Sequence, residues 1–310
     1  MKGKVWKLLG LIFTLIFILS TVHAVYAVGV ITKIPMASGS IALAYDSGKG
    51  EIFVTTEQSL VSVISDSSNS VVANVPVGSS PAGVAYDSGK GEVFVANLVS
   101  RTVSVISDSN NTVVANVSVG SFPYGVAYDA GKNEIFVTNA LSSSVSVISD
   151  GSDKVVANVT VENPFGVAYD AGKNEIFVTN YKSNTTSVIS DSNNSVVATV
   201  TVGSYPTGVA YDAGKSEIFV TNYESNTTSV ISDSNNTVVA TVPVGGFPEG
   251  VAYDSGKSEI FVANSLSVFV SVISDSAVVP EFQPFMLVPL FMVTTLLAAI
   301  IIKRKRNVKK

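Results

Sequence analysis

An Ala-Tyr-Asp triplet recurs six times along this chain. Its aspartates are Asp46, Asp87, Asp129, Asp170, Asp212 and Asp254, at steps of 41, 42, 41, 42 and 42 residues. A period of that length, holding several short strand-like runs, is the signature of a toroid of small repeated sheets, a β-propeller. The third copy displays the plan. Pro123 to Asp129 leads into the turn cluster Ala130-Gly131-Lys132-Asn133. Glu134-Ile135-Phe136-Val137-Thr138-Asn139 is a β-branched and aromatic run. Ser144 to Ser149 alternates strictly, and Val155 to Val161 follows a turn at Asp150-Gly151-Ser152-Asp153. The repeat therefore codes for four strands, A to D, without helical spacing.

Strand A (Gly-Val-Ala) is small, as a crowded innermost strand requires. Strand D carries Pro76 and Pro243. Proline donates no ladder hydrogen bond, so D belongs at the outer edge. Strands A, B and C occur six times, but D follows a C strand only five times. Gly29-Val30-Ile31-Thr32-Lys33-Ile34, ahead of the first A strand, supplies the missing copy. The expected fold is all-β: a propeller over residues 28–276, with six four-stranded blades closed into a ring by this N-terminal strand. Closure removes the exposed sheet ends that invite aggregation.

Three B strands read Phe-Val-Thr-Asn, at Phe136 to Asn139, Phe177 to Asn180 and Phe219 to Asn222. Two read Phe-Val-Ala-Asn, at Phe94 to Asn97 and Phe261 to Asn264, and the first reads Phe53-Val54-Thr55-Thr56. With the Val-Ser-Val-Ile run and the Pro-x-Gly-Val-Ala-Tyr-Asp element, residues 28–276 resemble the YVTN-repeat β-propellers of archaeal and bacterial cell surfaces. Phenylalanine replaces the eponymous tyrosine. The resemblance implies a surface location and no single activity.

The two ends carry targeting features. Residues 1–27 read as a secretory signal: Lys2, Lys4 and Lys7 are basic, Leu8 to Val22 is apolar, and Val25-Tyr26-Ala27 supplies small residues for a cut after Ala27. Residues 277–284 form a short linker. Residues 285–302 are eighteen uncharged residues, enough to cross a bilayer as a helix. The basic tail at residues 303–310 is expected to stay in the cytoplasm, with the propeller outside. Pro280-Glu281-Phe282, then an apolar span, then basic residues, resembles the archaeal Pro-Glu-Phe sorting signal. That resemblance implies processing by a sortase-like membrane enzyme.

Composition removes much chemistry. His23 and Trp6, the only residues of their types, both lie in the signal, and there is no cysteine. Ser-His-Asp and Cys-His catalysis, the usual zinc and copper sites, Fe–S ligation and disulfides are thereby excluded for the mature domain. Outside the signal and the tail, ten basic residues stand against 24 acidic ones, a formal charge of −14. Nucleic acid is not an expected partner, because phosphate contacts need clustered Lys and Arg. No cofactor is expected.

Strand alternation puts the A–B and C–D turns on one face and the D–A and B–C loops on the other. The first face repeats in every copy. Its recurring Asp-x-Gly-Lys turns read as backbone capping, with a ring of calcium sites as the alternative. The second face breaks the repeat. Tyr124, Phe165 and Glu249 stand between the conserved-in-repeat Pro and Gly, where other copies have Ala82 and Thr207. Tyr181-Lys182 and Tyr223-Glu224 open two B–C loops. These seven residues are the candidate ligand-binding set, since aromatics with neighbouring charge suit sugar or peptide recognition. Asn184 and Asn226, in Asn-x-Thr contexts on the same loops, are the favoured glycosylation acceptors.

Three functions follow. The leading expectation is a non-enzymatic surface protein, membrane-anchored through its C-terminal helix, acting in adhesion or envelope structure with envelope glycans or surface proteins as partners. The second is a binding module for an extracellular glycan or peptide on the variable face. The third is a lyase or hydrolase using carboxylates such as Glu224 and Glu249.

Overall fold

A computed structural model describes residues 32–36 and 38–274. The chain divides into two compact units, residues 1–35 and 36–310. Of the first, only residues 32–35 are described, and they hold no regular secondary structure.

The second unit is a six-bladed β-propeller. Antiparallel sheets span residues 40–76, 81–118, 123–160, 164–201, 206–243 and 248–274, here blades 1 to 6. Blades 1 to 5 have strand order A-B-C-D, as the repeat predicts, and blade 6 has A, B and C. The A strands of successive blades adjoin from blade 1 through to blade 6, while neighbouring D strands barely touch. A is therefore innermost and D outermost. Pro76 and Pro243 end their outer strands, where no further strand needs a donor.

The B and C strands lie between neighbouring blades and are covered on both faces. In blade 3, Phe136, Val145 and Val147 pack against Ile176, Val178 and Ile189 of blade 4. All six are fully buried. Burial of each such side chain stabilises the fold by about 1.5–3 kcal/mol. Strand D of blade 3 (Lys154–Thr160) instead alternates between exposed residues and half-buried or buried ones, as an outer strand with one covered face must.

The Phe-Val-Thr-Asn run has a separate task for each residue. Phe136 fills the inter-blade core. Thr138 Oγ1 accepts from Gly125 N–H (2.8 Å) in its own blade and donates to the Phe165 carbonyl (2.7 Å) in the next. Thr179 does the same with Gly166 (2.7 Å) and Thr207 (2.8 Å), and Thr221 with Gly208 (2.8 Å) and Glu249 (2.9 Å). Asn139, buried, donates to Ser146 Oγ at 2.9 Å and stitches strand B to strand C. Glycine in strand A answers the crowding at the axis. A Cβ on Gly125 would stand 2.7 Å from the Phe165 carbonyl oxygen, inside contact distance.

Turn chemistry accounts for the repetitive face. Asp87 Oδ1 accepts from Gly89 N–H (2.8 Å) and Lys90 N–H (3.2 Å), and Asp129, Asp170 and Asp212 repeat the pattern. No group of three or more potential metal ligands occurs among the described residues. The hydrogen bonds of these aspartates are those of turn capping.

The expected closing strand is not shown among the described residues. Thr32–Ile34, the described part of the 29–34 segment, carry no strand, and residues 29–31 lie outside the described residues. Strand C of blade 6 (Val270–Ser274) has no fourth strand beside it among the described residues. Its Val270 and Val272 are 53% and 52% exposed, and Leu43 and Tyr45 of strand A in blade 1 are 69% and 51% exposed. Their equivalents in blades 2 to 4 are covered by a neighbouring blade. The expected signal, linker, Pro-Glu-Phe segment, membrane helix and basic tail also lie outside the described residues. Among the described residues no helix is long and apolar enough to cross a membrane.

Candidate functional site

The variable face holds a solvent-open cavity of about 590 Å³ at the mouth of the propeller axis. Its floor is the strand-A glycines, including Gly125, Gly166 and Gly208, and its walls include Tyr124, Phe165, Tyr181, Tyr223 and Glu249. The small strand A that permits crowding at the axis thus also leaves the space above it open. Thr138, Thr179 and Thr221 fix the main chain at Phe165, Thr207 and Glu249, so the wall positions are set by inter-blade hydrogen bonds.

The aromatic walls form two stacks. In the first, Tyr124 and Phe165 lie with ring centroids 3.9 Å apart, Phe165 and Tyr181 at 5.5 Å, and Tyr181 meets Tyr205 edge-on at 4.9 Å. In the second, Tyr223 and Phe247 are 4.6 Å apart and within 8° of parallel. The three longer separations are those of attractive ring pairs. The stacks belong to blades 3 to 6. The blade 1 and 2 side of the cavity presents Ile41, Ala42 and Ala82 instead, so the cavity has one aromatic side and one aliphatic side.

Five of the seven sequence-selected residues therefore come together: Tyr124, Phe165, Tyr181, Tyr223 and Glu249. Lys182 and Glu224 do not line the cavity. Both are exposed on the B–C loops beside Tyr181 and Tyr223, because the loop turns outward after its first residue. Asn184 and Asn226 also lie on these loops. Asn184 Oδ1 accepts from Tyr205 N–H at 3.0 Å, and Asn226 Oδ1 from Phe247 N–H at 2.9 Å.

Two of the wall phenols are shifted by their surroundings. Burial, and then the Glu249 charge, raise the Tyr124 phenol above its usual range. Burial also raises Tyr181, followed by Tyr223, Tyr205 and the carboxylates of Glu224 and Glu249. At neutral pH the walls therefore offer uncharged rings and hydroxyl donors, and Glu249 offers an acceptor. This combination suits a ligand with flat apolar faces edged by hydroxyl groups.

Tyr205 and Phe247 escaped the sequence reading, which weighed only the residue after the repeat's proline. The residue before it varies as well: Ser80, Phe122, Asn163, Tyr205 and Phe247. All five have left-handed backbone, with φ of 54°, 59°, 45°, 54° and 51°. Each carbonyl there accepts from the first B–C loop residue of its own blade, as Tyr205 does from Tyr223 N–H (2.9 Å) and Asn163 from Tyr181 N–H (3.0 Å). The two variable loops of a blade are thereby locked together.

No family model matches the chain, and no curated protein matches it. Solved structures do. One is a chain described as Kuenenia stuttgartiensis hydrazine synthase, 14% identical, with a TM-score of 0.56 over 80% of this chain and 99% of that one. At that identity the likeness concerns the fold alone. It nevertheless corrects the expectation that this chain is no enzyme: a structure of similar fold carries an enzyme's description, so the propeller supplies no ground for excluding catalysis. Missing imidazole and thiol groups exclude particular mechanisms, and carboxylate, lysine and phenol chemistry stay open.

Proposed function

We propose that this chain is an exported recognition module that binds an extracellular glycan in the aromatic cavity of its variable face, and so mediates adhesion to glycan-bearing envelope surfaces. The observation carrying this reading is the convergence of Tyr124, Phe165, Tyr181, Tyr223 and Glu249 on one cavity of about 590 Å³. Aromatic walls with few convergent polar groups typify small-ligand sites. Pyranose rings present flat C–H faces that stack on aromatic rings and hydroxyls that donate to a carboxylate. The acidic surface disfavours an anionic ligand, so a neutral glycan fits best.

Display at the cell surface is part of the proposal. It is supported by the resemblance to YVTN-repeat surface propellers, the signal-like residues 1–27, and the order Pro280-Glu281-Phe282, apolar span, basic tail. On this reading the span at residues 285–302 anchors the propeller to the outer face of the cytoplasmic membrane.

The test is calorimetric titration of the full chain, in a non-glycosidic detergent, with xylohexaose, cellohexaose, mannohexaose and chitohexaose. Binding abolished by Tyr181→Ala or Tyr223→Ala supports the reading. A mixed peptide library retained in place of every sugar would replace glycan by peptide as the ligand class. Retention of neither sinks the proposal.

A further inference from the structure

Tyr205 and Phe247 hold a costly conformation. Left-handed backbone is tolerated by Gly and Asn and is disfavoured for bulky side chains. The same loop position shows the inexpensive solution in blade 4, where Asn163 stands at φ 45°. Three aromatic residues stand in this conformation at this position, Phe122 (φ 59°), Tyr205 (φ 54°) and Phe247 (φ 51°), and such backbone persists where surrounding structure holds it.

The over-determining contacts come from the preceding blade. Asn184, itself at φ 57°, accepts Val202 N–H through its main-chain oxygen (3.0 Å) and Tyr205 N–H through Oδ1 (3.0 Å). It thus ties both ends of the D–A loop. Asn226, at φ 54°, repeats this with Val244 (3.0 Å) and Phe247 (2.9 Å). Blades 1 to 3 carry Ser59, Arg101 and Ser143 at that position. Phe122, which follows Arg101 and no asparagine, is 37% exposed and belongs to neither stack. Asparagine thus stands in the two blades whose next loop places an aromatic ring against a wall tyrosine.

We propose that Tyr205 and Phe247 are ligand-contacting residues that extend the two aromatic walls outward, and that Asn184 and Asn226 are positioning residues that hold them there. The ligand class is a neutral oligosaccharide of at least two pyranose rings, one on Tyr181 and Tyr205 and one on Tyr223 and Phe247. This rests on the glycan reading of the cavity and names the part of the site that gives it length. It also gives Asn184 and Asn226 a use in the unmodified protein.

The experiment uses the full chain and the hexaoses that it binds, with their disaccharides as a second probe. Tyr205→Asn and Phe247→Asn place a tolerant residue in the left-handed position. Each is expected to weaken hexaose binding about tenfold or more, leaving Tm unchanged or raised. Tyr205→Phe is expected to bind hexaose near the wild-type level, because the ring is kept. Asn184→Ala is expected to weaken binding in the wild-type background and to add nothing in the Tyr205→Asn background, a non-additivity that a general loss of stability does not produce. Disaccharide binding is expected to fall less than hexaose binding. Normal hexaose affinity in Tyr205→Asn and Phe247→Asn, beside loss in Tyr181→Ala, would overturn the inference and leave the glycan reading standing. Failure of the wild type to bind any of the four hexaoses overturns both. If Tyr205→Asn does not fold, Tyr205→Gly provides the same readout, and failure of both to fold overturns the claim that the ring serves the ligand.

Discussion

Lys90 in the A–B turn of blade 2 reaches across to blade 3, where its Nζ donates to the main-chain carbonyl of Asp150 at 2.7 Å. It also sits 3.0 Å from Glu92 and 3.5 Å from Asp153. Lys49, Lys132 and Lys173 contact the equivalent carbonyls of Asp108, Asp191 and Asp233. The lysine of the recurring Asp-x-Gly-Lys turn is thus a strap between blades. Lys90→Ala is expected to destabilise the propeller by about 1 kcal/mol, since the strap is partly exposed. Chemical denaturation of wild type and variant checks this, and an unchanged midpoint would remove the strap from the account.

On the opposite face the straps are threonines. Thr179 is buried and serves Gly166 N–H and the Thr207 carbonyl at once. Thr179→Val keeps the shape and removes the hydroxyl, leaving one buried and one half-buried main-chain group short of a partner. A loss of about 1–3 kcal/mol is expected from urea unfolding. Blade 2, where Ala96 stands at this position, is expected to tolerate Ala96→Ser with less than half that change.

Glycines at the axis separate a packed blade boundary from an open one. Gly125→Ala drives a methyl group against the Phe165 carbonyl, an overpacking that costs about 1–3 kcal/mol. At Gly250 in blade 6 the nearest atom to an added Cβ is Ala263 Cβ, 3.8 Å away. Gly250→Ala is therefore expected to be neutral, or to stabilise by up to about 1 kcal/mol through the unfolded state. Equal losses at both sites in thermal melts would indicate that blade 6 is covered in solution as fully as blade 3.

The pH dependence has a definite sign. Burial raises the carboxyls of Glu92, Glu134, Glu175, Asp150, Asp170 and Asp191 above their ordinary range. A raised folded pKa means that folding favours the protonated form, so the contribution is present below the unfolded value near 4 and is lost as pH rises through the folded one. Tm is expected to increase as pH falls from 7 towards about 4.5, with the acidic surface adding to the trend. On the alkaline side, burial and then Asp129 push the Tyr169 phenol up to about 12. Its contribution is present below about 10 and is lost as pH climbs through about 12. Circular dichroism melts across this range decide the matter, and a Tm that drops between pH 7 and 5 would refute the first half.

Much of the fold was legible because it is periodic. Strand alternation, β-branched runs and turn glycines are local, so the repeat in Phe136 to Asn139 and its copies yields strands, their order and the blade count. Of the seven residues chosen because they break the repeat, five line one cavity. Tyr205 and Phe247 were passed over, although they break it too. Their placement rests on left-handed backbone and on hydrogen bonds to Asn184 and Asn226 in another blade, which no local pattern encodes. Lys182 and Glu224 were included by adjacency in sequence, but a loop that turns outward carries them off the cavity.

By itself, then, the sequence determined the toroidal architecture, the acidic surface and the absence of imidazole and thiol chemistry, because composition and short-period patterning act residue by residue. Only the tertiary structure decided that the aromatic rings of blades 3 to 6 gather into two stacks beside Glu249, that threonine and lysine straps join successive blades, and that blade 6 has three strands among the described residues. The stacks and the straps depend on residues some 20 to 60 positions apart meeting across a blade boundary. Such contacts form only once the sheets have packed around a common axis.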